Sequence, residues 1–286
     1  MVVPIVEETI TFLNPILKDW NYTEKPLIIN ISGPQGSGKS YLSSKLLQYF
    51  TTAYPHLKSV TFSTDDIYLT HKDQVKVVKE YPKNVLLKGR GLPGTHDVNL
   101  GYQLLADLDN RKSGFSIPRY DKSAFNGEGD RAPEEEWEKV EKPADIVVFE
   151  GWFNGFTPFD SDEGILEKIE ESEILKKYDK EMLFEVNSNL AGYIKLWDFV
   201  DVDIFYDTDD IDNVNDWRIQ QEHELIKKKG TGMTDDEVRS FIERYMVVYE
   251  LYYKDYTKLG IRSTREGKHL RVKINKQRDI EGLEVF

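Results

Sequence analysis

Leu27-Ile-Ile-Asn-Ile-Ser-Gly33-Pro-Gln-Gly-Ser-Gly38-Lys39-Ser40 is the stretch whose reading decides the fold. The apolar run from Leu27 to Ile31 has the look of a strand buried in a parallel sheet. It breaks into a glycine-rich turn, and from Lys39 the spacing of Leu42, Leu46 and Phe50 predicts a helix. The turn matches G-x-x-x-x-G-K-[ST], whose glycines let successive backbone N–H groups point inward around phosphate oxygens. The positive N-terminal end of the following helix faces the same anion. Lys39 adds a point charge for the outer phosphates, and the Ser40 hydroxyl is placed to ligate Mg²⁺. Gly33, Pro34, Gln35, Gly36, Ser37, Gly38, Lys39, Ser40 and Tyr41 are thus the candidates for holding a nucleoside triphosphate.

The composition bounds what else the chain can be. Its 286 residues are ample for a sizeable core, and 39% hydrophobic with 31% charged residues suits a soluble globular protein. The net charge of −13 argues against nucleic-acid or anionic-membrane binding, which rewards dense Lys/Arg surfaces. With no cysteine there is no disulfide, thiolate zinc site or cysteine nucleophile. Glu7 and Glu8 interrupt the N-terminal apolar pattern, so no signal or transit peptide is expected. No apolar run approaches the ~20 residues that span a membrane. A cytoplasmic location follows as the expectation, with nuclear access left open.

Strand and helix patterns alternate along the rest of the chain. Residues 4–19 carry a helical pattern that Pro15 should bend or end. Ser59–Ser63 reads as a second strand, directly followed by Thr64-Asp65-Asp66-Ile67-Tyr68. Acids at the carboxyl end of a parallel strand lie where such sheets bind ligands. Asp65 is placed for chemistry, while Asp66 serves either chemistry or the capping of a helix beginning near His71. A glycine-bearing loop ends in Thr95-His96-Asp97, and a helix is predicted over about 98–110. The polar segment 116–131 is long for a mere connection and reads as a functional loop or a solvated charged one. Ala144–Phe149 reads as the third strand; it leads into Glu150, an acid beside the phosphate loop that could orient Mg²⁺. Two helices are expected within 161–198, a strand at 202–206, and a helix over 212–229 ending in Lys227-Lys-Lys-Gly230. Thr234-Asp-Asp-Glu237 is a capping box opening a long helix, and a last strand is expected at 270–274. This pattern specifies one α/β domain over 1–286 with a parallel sheet and helical insertions.

The residues also carry a family resemblance. Gly33–Ser40, Thr64–Tyr68 and Phe149-Glu150-Gly151 resemble the P-loop kinases of the uridine kinase, phosphoribulokinase and pantothenate kinase group. The D-glycerate 3-kinase-like branch is the nearest match, through Gly91–Asp97, Pro118–Ser123, Gly127–Arg131, Glu150-Gly-Trp152 and Trp217–Glu222. The resemblance implies a P-loop NTPase three-layer fold, a five-stranded parallel core in the order 2-3-1-4-5, and a lid within the helical region at about 207–257. It implies transfer of the ATP γ-phosphoryl group to a small hydroxyl-bearing acceptor, such as D-glycerate. Asp65 then aligns with the acid that takes the acceptor's proton, Arg218 with a lid arginine, and Ser40, Asp65 and Glu150 with Mg²⁺. Asp66, Tyr68, His96, Arg119, Asp121 and Arg131 are the candidate acceptor contacts, with Arg119 or Arg131 gripping a carboxylate. His96 could equally bond its own loop, and Arg218 with Glu222 could form a plain surface ion pair. The chain departs from the branch at Glu128, where arginine is usual; an acid there would repel glycerate. Three other readings compete with it. A GTPase lacks its guanine-reading carboxylate, because Asn275-Lys276-Gln277-Arg278 ends in arginine. A non-catalytic ATP-binding regulator is the reading from another class, and uridine kinase activity shares the same chemistry. The sequence does not fix the oligomeric state.

Overall fold

A computed structural model describes residues 4–230 and 232–286, apart from the side chains of Lys228 and Lys229. The expected cationic helix end at Lys227–Gly230 therefore falls partly outside the described residues. The central sheet has six strands: β1 (Leu27–Ser32), β2 (Ser59–Ser63), β3 (Ile146–Gly151), β4 (Val202–Asp207), β5 (His269–Ile274) and β6 (Ile280–Val285). They lie in the order β2-β3-β1-β4-β5-β6. The first five are mutually parallel, so the loops after β1, β2 and β3 emerge at one end of the sheet. β1 and β3 are buried almost throughout, as a strand covered on both faces must be.

A sixth strand is added to the expected five-stranded parallel core. β6 pairs antiparallel with β5, with a register shift between Ile280 and Gly282. That bulge breaks the period-two alternation by which a strand is recognised.

The helices include α1 (Pro4–Asp19), α2 (Lys39–Ala53), α3 (His71–Glu80) and α4 (Val98–Asp109). They are followed by α5 (Asp162–Glu171), α6 (Lys180–Ala191), α7 (Asn213–Lys229) and α8 (Asp235–Val248). α1 continues through Pro15, because Ile16 and Leu17 beyond it are buried in the core. Thr70 caps α3, accepting from Asp73 N; Asp66 does not. Thr234 and Glu237 form the capping box that opens α8. Instead of running on as one long α-helix, α8 passes into a π turn at Tyr249–Tyr253. Within that turn the Tyr252 hydroxyl donates to Asn187 Oδ1 and the Tyr253 hydroxyl to the Tyr206 carbonyl. Among the described residues no helix is long and apolar enough to cross a membrane.

A line of buried polar groups crosses the sheet beneath the site. Asp203 on β4 is fully buried and accepts from Asn30 Nδ2 at 2.8 Å, Tyr256 OH at 3.0 Å and Ile261 N at 2.9 Å. Asn30 Oδ1 accepts from Asn154 Nδ2 at 3.0 Å, and Asn154 Oδ1 accepts from the Thr64 hydroxyl at 2.5 Å. The line ends one residue short of Asp65. Asp203→Ala would strand three buried donors, each costing about 1–3 kcal/mol. A loss of at least about 3 kcal/mol is expected in urea unfolding; a loss near zero would mean that the donors find other acceptors.

Candidate active site

Three strand ends converge on the site. After β1 the chain turns through Gly33–Gly38, and α2 starts at Lys39. Gly36 sits at φ +81, and a Cβ there would lie 2.5 Å from Trp217 Cβ, so only glycine fits. The loop has a wall built from distant parts of the chain. Arg278 Nε donates to the Gly36 carbonyl at 2.6 Å, and Gln35 N donates to the Tyr249 hydroxyl at 3.1 Å. Trp217, fully buried, donates from Nε1 to the Lys276 carbonyl at 2.7 Å. The residue that denies the Asn275–Arg278 turn a guanine-reading carboxylate is thus a clamp on the phosphate loop. Lys39 curls over the loop, with Nζ 3.5 Å from the Pro34 carbonyl. Tyr41 is 46% exposed and does not line the cavity beside the loop.

After β2, the residues Thr64–Ile67 form a single 3₁₀ turn capped by Ser63. Ser63 Oγ accepts from Asp65 N at 3.2 Å, and Asp66 Oδ2 accepts from Ser63 N at 2.9 Å. The turn thereby aims Asp65 into a cavity of about 270 Å³, shared with Lys39, Ser40, Tyr68, Glu150 and Arg218. Tyr68 OH donates to Asp65 Oδ1 at 2.8 Å, and Lys122 Nζ donates to Oδ2 at 2.5 Å. Burial would raise the Asp65 carboxyl, but the Lys122 charge and these two hydrogen bonds hold it at about 2. On β3, Glu150 is in register with Ile31 and Ser63, between the phosphate loop and Asp65. Burial pushes its carboxyl up and pulls the Lys39 amine down, each partly offset by the other's charge.

Five of the expected acceptor contacts are turned into the scaffold. Asp66 Oδ2 caps the 3₁₀ turn and meets Arg119 Nη1 at 3.4 Å. Arg119 also donates to the Thr61 carbonyl at 3.2 Å and to Glu138. Arg131 donates to the Tyr68 carbonyl at 3.1 Å and to Asp97 Oδ2 at 3.2 Å, behind the cavity wall. Asp121 Oδ1 accepts from Ser123 N and Oγ and so fixes the turn around Lys122. His96 is buried behind Tyr68, with ring centroids 4.5 Å apart, and its Nδ1 shares a 2.8 Å hydrogen bond with Tyr193 OH. Burial lowers it to about 3, so it is a neutral loop-bonding residue at physiological pH. Tyr68 alone of the six lines the cavity. Glu222 is likewise no surface ion-pair partner. It is buried, its Oε1 accepts from Met233 N at 2.8 Å, and its Oε2 lies 3.8 Å from Arg218 Nη2.

A phosphate loop, a strand-end aspartate and a β3 glutamate face one cavity, and the chain matches a known family over residues 28–165. It belongs to the phosphoribulokinase/uridine kinase family. The chain is 42% identical over 266 residues to the probable ATP-dependent kinase TDA10 of Saccharomyces cerevisiae, covering 89% of this chain and 88% of the relative. It is 35% identical to the chloroplastic D-glycerate 3-kinase of Arabidopsis thaliana, covering 96% of this chain but 58% of that longer protein. The solved structure of D-glycerate 3-kinase from Cryptococcus neoformans superposes with a TM-score of 0.88 at 40% identity, covering 99% of both chains. The protein is therefore a P-loop kinase of the D-glycerate 3-kinase-like branch.

Membership in this kinase family implies ATP as the phosphoryl donor and raises the question of its metal. Ser40 Oγ donates to Glu150 Oε1 at 3.0 Å, while Glu150 Oε2 is buried with no hydrogen-bond partner. A hydroxyl and an orphaned carboxylate oxygen at the mouth of the loop suit a hard divalent cation. Asp65, expected as a third ligand, has both oxygens engaged by Tyr68 and Lys122. The kinase cavity also holds residues that the sequence reading missed: Arg90, Lys122, Trp152, Gln221, Phe241 and Tyr245. Gly91 carried a signal for one of them. At φ +132, a Cβ there would lie 2.1 Å from the Tyr245 hydroxyl, and Trp152 Nε1 donates to its carbonyl at 3.1 Å.

Proposed function

We propose that the protein transfers the γ-phosphoryl group of ATP to a hydroxyl of a small anionic hydroxy acid, D-glycerate being the leading candidate. The observation that carries this reading is the position of Asp65, across one cavity from Lys39 and Arg218 and flanked by Lys122 and Arg90. Lys39 and the loop amides would bind the β- and γ-phosphates, and Arg218 would meet them from α7, the first helix of a lid completed by α8. Ser40 and Glu150 would hold Mg²⁺, which supplies charge neutralisation on the phosphates. Asp65 would accept the hydroxyl proton.

Glu128, the departure from the branch pattern, does not oppose an anionic acceptor. Its side chain is 72% exposed and its carboxylate pairs with His71 Nε2 at 2.7 Å, outside the cavity lining. The names of the relatives support D-glycerate but speak only of those proteins. The test is ADP release from Mg-ATP with D-glycerate, uridine or pantothenate as the offered acceptor. Stimulation by D-glycerate alone is expected. Turnover with uridine or pantothenate instead, or with none of the three, would overturn the assignment.

A further inference from the structure

Asp65 presents no free carboxylate oxygen: Tyr68 holds Oδ1 and Lys122 holds Oδ2. Each oxygen keeps a second lone pair, but a donor already in place, the Lys122 ammonium above all, lowers its basicity, so Asp65 becomes an effective proton acceptor when one of the two donors leaves. Tyr68 is buried and stacked on His96, so its hydroxyl has little room to leave. Lys122 is different. Its backbone is fixed, but its side chain is 57% exposed and carries its charge on a flexible four-carbon stem.

The fixing of that backbone is elaborate. Arg90 donates from Nη1 to the Gly127 and Glu128 carbonyls and from Nη2 to the Lys122 carbonyl, so one guanidinium ties both sides of the loop. Arg244 in turn holds the Arg90 carbonyl at 3.0 Å. On the far side, His71 N donates to Asp130 Oδ1 at 2.9 Å. The loop is anchored at each end while the ammonium it carries can swing.

We propose that Lys122 is a latch on the base: it covers Asp65 Oδ2 until an acceptor with an anionic group beside its hydroxyl draws the ammonium away. This rests on the reading of Asp65 as general base. The charges facing the cavity favour such an exchange. Lys39, Arg90, Lys122 and Arg218 outnumber Asp65 and Glu150, and the phosphates would occupy Lys39 and Arg218. An acceptor carboxylate offers Lys122 a replacement partner, and Oδ2 becomes available to the adjoining hydroxyl. Water and a neutral nucleoside offer none, so opening the latch for them would leave two charges unpaired. The device thus selects anionic acceptors and also protects ATP from hydrolysis.

With the latch open, the acceptor O–H bond breaks and its proton passes to Asp65 Oδ2. The acceptor oxygen bonds to Pγ, and the bond from Pγ to the β,γ-bridging oxygen breaks, its electron pair leaving on ADP. The same sequence with water as acceptor gives inorganic phosphate.

The test compares ADP release by wild type and Lys122→Met, with and without D-glycerate, and ATP affinity by titration. The acceptor-free rate is expected to rise about tenfold or more as the base is uncovered. KM for D-glycerate is expected to rise about tenfold with the loss of a charge-assisted partner, while ATP affinity stays unchanged. Lys122→Arg should keep the acceptor-free rate low. Asp65→Asn added to Lys122→Met should return that rate to the wild-type level. An acceptor-free rate that stays level or falls in Lys122→Met overturns the latch whatever the acceptor proves to be. Asp65→Asn alone separates the two ideas. If it retains full acceptor-dependent turnover, the base assignment fails and the latch with it. If it is inactive while Lys122→Met shows no gain, the latch alone fails.

Discussion

Asp65→Asn is expected to lower kcat by about 10²–10⁴-fold, the usual worth of a positioned general base. The substitution keeps the size and the hydrogen bond from Tyr68, and the 3₁₀ turn that aims the residue is capped by Ser63 and Asp66, not by the Asp65 side chain. Folding should therefore be unaffected. ATP affinity should hold or rise slightly, because a carboxylate near phosphates is repulsive. Acceptor-dependent ADP release and ATP titration, run in parallel, provide the check. A variant that keeps full turnover would remove Asp65 from the chemistry. A wild type with no acceptor-dependent rate at all would favour an ATP-binding regulator over an enzyme.

Lys39→Ala should weaken both binding and turnover. Its ammonium lies over the phosphate loop, 3.5 Å from the Pro34 carbonyl. Loss of a charge-assisted phosphate contact costs about 1.5–3 kcal/mol, or roughly 10- to 150-fold in ATP affinity. Turnover should fall by about 10³ or more, since transition-state charge on the transferring group also goes unanswered. The fold should survive, because burial opposes the charge of Lys39 and nothing in the core depends on it. A normal melting temperature with abolished turnover is the expected pairing. An unfolded variant, or one that turns over normally, would contradict the role.

The sequence made the phosphate-binding half of the site legible because its signals are local. A strand, a glycine turn and a helix start follow one another within Leu27–Ser40, and Asp65 sits just past the strand read at Ser59–Ser63. The acceptor half was not legible. Arg119, Arg131 and Asp66 are charged residues near the right loops, yet each is consumed by a neighbour that sequence spacing does not disclose. Lys122 adjoins Asp121, and the turn sends the lysine into the cavity while Asp121 holds the turn. Which of two adjacent residues faces inward depends on the short ladder that pairs Tyr120–Asp121 with Asp130–Arg131, far too brief to show a period. Trp152 and Tyr245 are core on one edge and cavity wall on the other, and Phe241 is a partly buried ring packed against that core.

The wall of the phosphate loop has a consequence for biosynthesis. Gly36 is held by Arg278, 242 residues later in the chain, and Gln35 by Tyr249, 214 residues later. The loop leaves the ribosome well before the groups that set its backbone, and chain closure over such spans is unfavourable until the intervening sheet has formed. A nascent chain thus carries an intact phosphate-binding motif without a finished phosphate-binding site. Nucleotide stabilises only what it binds, so ATP cannot guide the growing polypeptide and instead secures the kinase once residue 278 has joined it.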